Sequence, residues 1–468
     1  MREMPEQQKP SEVAKPKQDG DIRGRWPWVE AAVWNERMLA TLETGIEGGK
    51  WFALIDKVWS QKNLRRAVGK VVENGGSAGI DGQHVRMLER HKEREIERLQ
   101  KELQERTYQV QAVKRVWIPK LGSKELRPLG IPVVRDRVVQ NALRDVIEPI
   151  FEREFAPQSY GFRPGKGCKD ALRRVNKLLK SGYYWIVDAD LKSYFETIPH
   201  EKLMERVGAK ISDGRILKLI ESFLKAGVLE EAKDWQPTKR GAPQGGVISP
   251  LLANIYLDPL DWKMAQRGSE MVRYADDLII LCRSKEEALE VMEEIKSWIE
   301  ENGLTLHSEK TRIVDTREPG GFDFLGYHFE RGRKWPRKKS MDKLRAVIRM
   351  KTRRNQGRSL KVICEDLNRT LRGWFEYFKQ SHPFTFGDVD QFTRGRLRSI
   401  LRMRCGRKGR GRGEDHRRWP NAYFAREGLL SLKEAFERIR QSRREELNHQ
   451  LESRMREIRQ YGSAGGAG

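Results

Sequence analysis

Apolar and polar positions along the chain follow two periods. Short runs with strand character stand at 113–118 (VKRVWI), 183–190 (YYWIVDAD) and 272–282 (VRYADDLIILC), rich in the β-branched and aromatic residues that suit a pleated sheet. Between them apolar residues recur every three or four positions, as on an amphipathic helix. The clearest case is SKEEALEVMEEIKSWIEENG (284–303). Ser284 and Glu287 form a capping box, Ala288, Val291, Met292, Ile295, Trp298 and Ile299 share one face, and Gly303 ends the helix. From 83 to 107 the chain reads as a highly charged helix with a solvated face, and after about residue 340 the period is almost wholly helical. This predicts a mixed α/β (α+β) core followed by an α-helical module. Residues 1–24 are expected to be disordered, with the fold starting near Trp26-Pro27-Trp28.

Charge narrows the partners. The 468 residues carry 92 Lys and Arg against 67 Asp and Glu, a net charge of +25 that points to a polyanion. Cys168, Cys282, Cys364 and Cys405 form no Cys-x-x-Cys pair, so neither a zinc ribbon nor a disulfide framework is indicated, and a reducing compartment fits. No apolar run approaches the ~18 residues of a membrane span, and the N-terminal stretch has no apolar segment of a secretory signal. The expected location is cytoplasmic.

Against that background the adjacent carboxylates Asp276 and Asp277 are anomalous, because like charges repel and burying either one is costly without a counter-charge. A strand, a tight turn carrying both residues and a returning strand would place them at a hairpin tip just after Tyr274. Such a tip suits Mg²⁺, which takes few protein ligands and leaves room for substrate phosphates. A further carboxylate should come from YYWIVDADLKSYFETIP: Asp188 and Asp190 share a strand face, so alternation alone does not choose between them, and the Leu191 carbonyl is a further candidate ligand. Two metal ions roughly 4 Å apart are a general solution for in-line phosphoryl transfer, of which nucleotide polymerisation is an example.

Tyr-x-Asp-Asp alone is as consistent with an acidic turn as with a metal site. Its company carries more: in order along the chain stand GSAGIDG (76–82), RPLGIP (127–132), YGFRPGKGC (160–168), DADLKSYFETIP (188–199), GAPQGGVISPLLANIYLD (241–258), VRYADDLIIL (272–281), GLTLHSEKT (303–311) and FDFLGYHF (322–329). This series resembles the group II intron-encoded reverse transcriptases, or maturases, over about residues 75–430. The resemblance implies a right-hand polymerase with fingers and palm, followed by an α-helical thumb (maturase X) domain. It makes Asp190, rather than Asp188, the first metal-binding carboxylate beside Asp276 and Asp277, with Mg²⁺ (two ions, or Mn²⁺) as cofactor. It implies that Lys120 and Arg127 grip the triphosphate, that Leu191 and Gln244 support the nucleotide, and that Lys310 protonates the leaving pyrophosphate. Phe195 would exclude a ribose 2′-hydroxyl, with Tyr194 as the competing choice. Glu196 replaces an Asp found in many relatives and preserves the charge.

The C-terminal third extends the resemblance. In SLKVICEDLNRTLRGWFEYFK (359–379) Leu367, Leu371, Trp374, Phe375 and Phe378 share a face, with Arg369 and Arg372 beside it. Between 402 and 418 eight Arg or Lys residues are interleaved with four glycines, a stretch expected to be too flexible for a packed helix and suited to phosphates. The expected RNA-binding residues are Arg369, Arg372, Arg402, Arg404, Arg407, Lys408, Arg410 and Arg412. The expected division is a tail (1–24), fingers and palm (25–340), thumb and RNA-binding region (341–432), and a charged helix with a flexible end (433–468), without an endonuclease module. The resemblance implies an RNA-directed DNA polymerase that binds its intron RNA to assist splicing and copies it during retrohoming. Its partners would be intron RNA, a DNA or RNA primer, dNTPs and target DNA, with nucleoid association during integration. The alternatives are a standalone reverse transcriptase serving repair or defence, and a splicing-only maturase.

Overall fold

The computed structural model describes residues 22–46, 48–119, 126–229, 240–407, 409, 411 and 413–463. Most of the N-terminal segment and the last five residues, both expected to lack structure, lie outside this set. The first described residues fall inside the expected tail and form a helical turn at Ile22–Arg25. Ile22 and Trp26 pack against the core, and the Arg23 guanidinium donates to the carbonyls of Val29 and Trp34.

In chain order the strands are β1 (Val113–Pro119), β2 (Leu126–Ile131), β3 (Trp185–Asp190), β4 (Val228–Leu229) and β5 (Glu270–Tyr274). They continue with β6 (Asp277–Cys282), β7 (Arg312–Asp315), β8 (Phe322–Phe324), β9 (Tyr327–Glu330) and β10 (Arg333–Pro336). Among the described residues they build three sheets, ordered β2-β1-β4, β5-β6-β3-β7 and β10-β9-β8. The central, four-stranded sheet is antiparallel throughout.

Strand alternation splits its two faces. Val187, Ala189, Leu278, Ile280 and Cys282 enter the main core, which also holds apolar residues of the helices Val134–Glu152, Ser249–Arg267 and Lys285–Glu301. Ile186, Val272, Ile279 and Leu281 face the other way, into a second cluster with the Cys168–Lys180 helix and the aromatic residues of β8 and β9. The carboxylates of β3 lie on this second face, beyond the end of its apolar cover. They are thereby held on a rigid sheet yet reachable.

The Lys285–Glu301 helix buries all six expected apolar residues. Its capping box is shifted: Ser284 accepts from the Glu287 amide, but the Glu287 carboxylate accepts from Arg283 N at 2.8 Å instead of Ser284 N. The charged stretch at 83–107 is two helices, Val85–Arg90 and Lys92–Glu105, interrupted at His91, and only Val85, Leu88, Ile96, Leu99 and Leu103 are buried.

Beyond β10 the helices Lys338–Lys351, Leu360–Phe378, Phe384–Arg404 and Leu432–Ser463 form a separate core around Ile348, Leu367, Leu371, Phe375 and Phe386. The two parts meet where the Tyr327 hydroxyl donates to the Tyr377 carbonyl and the Tyr377 hydroxyl donates to the Leu325 carbonyl, both at 2.7 Å. The two ends of the stretch 402–418, where residues are described, are helical although its glycines predict a flexible loop. Arg402 and Arg404 end the Phe384–Arg404 helix, and Glu414–Arg418 form a further helical turn because Asp415 is buried and ion-paired to Arg402. Among the described residues no helix is long and apolar enough to cross a membrane.

Candidate active site

The hairpin of β5 and β6 has a two-residue turn, Ala275-Asp276, closed by the pair Tyr274 and Asp277. Only Asp276 is therefore at the tip; Asp277, expected in the turn, opens β6 and stands directly opposite Asp190 on β3. Ala275 takes φ +60°, a left-handed conformation that costs a residue with a Cβ about 1–2 kcal/mol.

Two features hold this turn. Gln158–Gly161 runs alongside β5, with Tyr160 N donating to the Arg273 carbonyl at 2.8 Å and Arg273 N to the Gln158 carbonyl at 3.1 Å. At Gly161 a Cβ would lie 2.2 Å from Ala275 N, so only glycine lets the two backbones approach. The second feature is Arg273, fully buried. Its Nε and Nη2 bind Asp261 at 2.8 and 2.5 Å, Nη2 donates to Ser159 Oγ at 2.8 Å, and Nη1 donates to Asn254 Oδ1 and the Ala275 carbonyl, each at 2.9 Å. The planar fork thus ties the turn to the Ser249–Arg267 helix. Sequence reasoning missed this arginine because Val-Arg-Tyr reads as ordinary strand alternation. An arginine in an otherwise buried run was the available signal.

The carboxylates sit in mutual repulsion. Burial pushes the Asp277 carboxyl up to about 7, with Asp276, Asp188 and Asp190 adding to the rise. Asp276 is also raised, first by burial and then by Asp190, against the opposing pull of Arg127 and Lys310. Asp188 is pushed up to about 6 by burial but has its own counter-charge, Arg312 at 3.6 Å. Lys310 Nζ lies 2.6 Å from Asp190 Oδ2.

Asp190 and Asp276 line an open cleft of about 1070 Å³ together with Leu191, Phe195, Arg127, Gln244 and Lys310. Arg127 Nε donates to Gln244 Oε1 at 2.9 Å, and Gly130 N donates to the Gln244 carbonyl at 2.6 Å, so β2 and the Pro-Gln-Gly-Gly loop are joined. Gly245, at φ +113°, permits that joint: a Cβ there would lie 2.3 Å from the Gly130 carbonyl oxygen. Phe195 and Tyr194 both line the cleft, but the Tyr194 hydroxyl is committed to the Ala253 carbonyl at 2.6 Å. Arg115, Trp117 and His307 line it as well and were not anticipated. His307 lies in the GLTLHSEKT block, and its N–H donates to the Asp190 carbonyl at 2.8 Å.

The other expected residues are elsewhere. Arg369, Arg372, Arg404 and Arg407 are exposed on the C-terminal helical part and do not line the cleft. Arg402 is engaged with buried Asp415, and Arg404 also donates to the Arg358 carbonyl. Lys120, Lys408, Arg410 and Arg412 lie outside the described residues.

Among the described residues no three His, Cys, Asp or Glu side chains converge into a ready-made metal-ligand set. The donor chemistry nevertheless fits a hard divalent cation. Asp276 and Asp190 raise the proton affinity of Asp277, Asp190 also raises that of Asp276, and the Lys310 ammonium rests on Asp190 where a cation would bind.

The family described as reverse transcriptase (RNA-dependent DNA polymerase) matches residues 118–329, and the group II intron, maturase-specific domain matches residues 333–419. Protein YkfC of Escherichia coli (strain K12) is 35% identical over 294 residues, 54% of this chain and 76% of that protein. The group II intron-encoded protein LtrA of Lactococcus lactis subsp. cremoris is 33% identical over 302 residues, 50% of this chain and 49% of LtrA, so the match spans about half that relative's length. A solved partial Cas6-RT-Cas1–Cas2 complex is 24% identical, with a TM-score of 0.34 over 53% of this chain and 42% of its own. The chain belongs to the family of group II intron-encoded reverse transcriptases and maturases.

Proposed function

We propose that the protein is an RNA-directed DNA polymerase that extends a DNA or RNA primer with dNTPs on an intron RNA template, and that it also binds that RNA to assist splicing. The observation that carries this reading is that Asp190 and Asp276 line one cleft together with Arg127 and Gln244, while Asp277 stands opposite Asp190 in the sheet beneath. Copying into target DNA follows from the same activity.

The three aspartates, with the Leu191 carbonyl, would hold two Mg²⁺ ions. When bound, the ions activate the attacking hydroxyl and neutralise charge on the phosphates. Arg127, already oriented by Gln244, is placed to grip the triphosphate through its planar fork. Phe195 presents a ring at the cleft wall, where it would crowd a ribose 2′-hydroxyl. Lys310, whose ammonium lies on Asp190, would be the proton donor to a leaving pyrophosphate. Primer extension on an RNA template, with Asp276→Asn as the comparison, tests the reading. Undiminished extension by that variant would remove it.

A further inference from the structure

Away from the polymerase cleft, a second pocket of about 590 Å³ opens between the Cys168–Lys180 helix, β10, the end of the Leu360–Phe378 helix and the Leu432–Ser463 helix. Arg173, Lys177, Lys180, Lys334, Lys379 and Arg443 line it, and no carboxylate does. Arg173 and Lys379 are paired to Asp170 and Glu376. Lys177, Lys180, Lys334 and Arg443 meet no carboxylate among the described residues.

Lys334 is the most informative of these. It is only 8% exposed, and its Nζ donates to the neutral Gln380 Oε1 at 2.8 Å. The rings of Tyr327 and Phe329, at 5.2 and 5.9 Å, give it partial compensation. Burial pulls its ammonium down to about 8, and Lys180 adds to the shift. A buried, unpaired ammonium among further cations destabilises the folded chain unless an anion joins it.

We propose that this pocket is a phosphate-binding site for a nucleic acid backbone, separate from the polymerase cleft and assembled only where the C-terminal helices pack on the central domain. Arg173, Lys177 and Lys180 follow one another at helical spacing and span about 10 Å of the helix. That row is longer than a single phosphate group, so successive phosphodiesters match it better than a lone anion. The proposal rests on the RNA-binding half of the function proposed above. RNA seated here would bridge the catalytic domain and the C-terminal helices without entering the cleft.

The test uses the full chain and two variants, Lys177→Gln with Lys180→Gln, and Lys334→Met. Three measurements are made: affinity for a structured RNA across salt concentrations, extension of a short primer–template duplex, and thermal stability with and without inorganic phosphate. Lys177 and Lys180 are exposed, so the double variant keeps the core intact. Both variants should bind the structured RNA more weakly, with a salt slope shallower by about 0.7 for each phosphate no longer neutralised, while extending the short duplex at the wild-type rate. Lys334→Met should also raise the melting temperature of the free protein while losing RNA affinity, a combination that a purely structural lysine would not give. Unchanged RNA affinity and slope in both variants would overturn the site. Stabilisation by inorganic phosphate that both variants lose, without a change in RNA binding, would overturn the nucleic acid as its ligand. Because RNA affinity is read directly, a wild-type chain unable to extend any primer would remove the polymerase reading and leave this result standing.

Discussion

Asp190 on β3 and Asp277 on β6 are direct cross-strand partners, two carboxylates placed opposite one another in neighbouring antiparallel strands. Like charges in that relationship destabilise a sheet. Without a bound ion the repulsion is offset by the Lys310 ammonium on Asp190 and by the raised proton affinity of Asp277.

Metal-free stability should therefore improve when one charge is removed. Asp277 takes up its proton in the fold as pH falls through about 7, against an ordinary value of 3.8. A folded pKa raised above the unfolded one means that ionised Asp277 destabilises above that range and that the cost disappears as pH falls from about 7 toward 3.8. Metal-free Asp277→Asn should melt above the wild type at pH 8, and the gap should close as pH is lowered through this window. Adding Mg²⁺ should raise the wild-type melting temperature much more than the variant's. Calorimetric melting scans with and without Mg²⁺ check both expectations. Primer extension should fall in the same variant by roughly 4 kcal/mol, about a thousandfold.

Arg273 supports the same hairpin from beneath. Removing its guanidinium in Arg273→Met leaves fully buried Asp261 without its partner, so that burial drives its carboxyl to take up a proton, which should cost about 3–5 kcal/mol of stability. Combining it with Asp261→Leu should recover much of that loss, because no charge then remains unpaired. Urea unfolding of the two single variants and the double variant measures the coupling; additive losses would show that the pair is not the brace.

The cleft wall predicts sugar selection. Phe195 lines the cleft beside Asp190, and the neighbouring Tyr194 is tied by its hydroxyl to Ala253. Phe195→Val should raise ribonucleotide use relative to deoxynucleotide by about tenfold or more, the scale of a mismatch of one or two methylene groups. Competing incorporation of rNTP and dNTP on one template reads this ratio. An unchanged ratio would move the steric filter to Tyr194 or elsewhere.

The sequence made the strand-turn-strand around Asp276 legible because aliphatic runs flank the acidic pair, and the helix at 284–303 because its apolar period is unbroken. What it could not convey was reach. Asp190 meets Lys310 across 120 residues, and Arg273 finds Ser159 across 114. Neither pairing leaves a local trace. The hairpin register, which moves Asp277 out of the turn, depends on Ala275 accepting a positive φ that alanine does not advertise. The helical turn at 414–418 is tied to the Phe384–Arg404 helix by one buried carboxylate, Asp415, paired to Arg402, among residues whose composition reads as loop.

The last prediction separates the two activities within one chain. RNA binding draws its affinity from Lys and Arg contacts to phosphate and therefore depends steeply on salt, whereas DNA synthesis needs the aspartates as well. Arg369, Arg372 and Arg407 are exposed and suit the test; Arg402 does not, because neutralising it would strand buried Asp415. Replacing the three exposed arginines by Gln should weaken intron RNA binding and flatten its salt slope by about 0.7 for each phosphate left without its arginine. Asp276→Asn with Asp277→Asn should leave binding and splicing largely intact while abolishing primer extension. RNA affinity against salt concentration, splicing of the bound intron and primer extension, measured on both variants, give opposite patterns if binding and synthesis are carried by different parts of the chain. An arginine variant with wild-type affinity and slope would make that surface a solvated one, and the excess positive charge would have to act through the cleft and the second pocket instead.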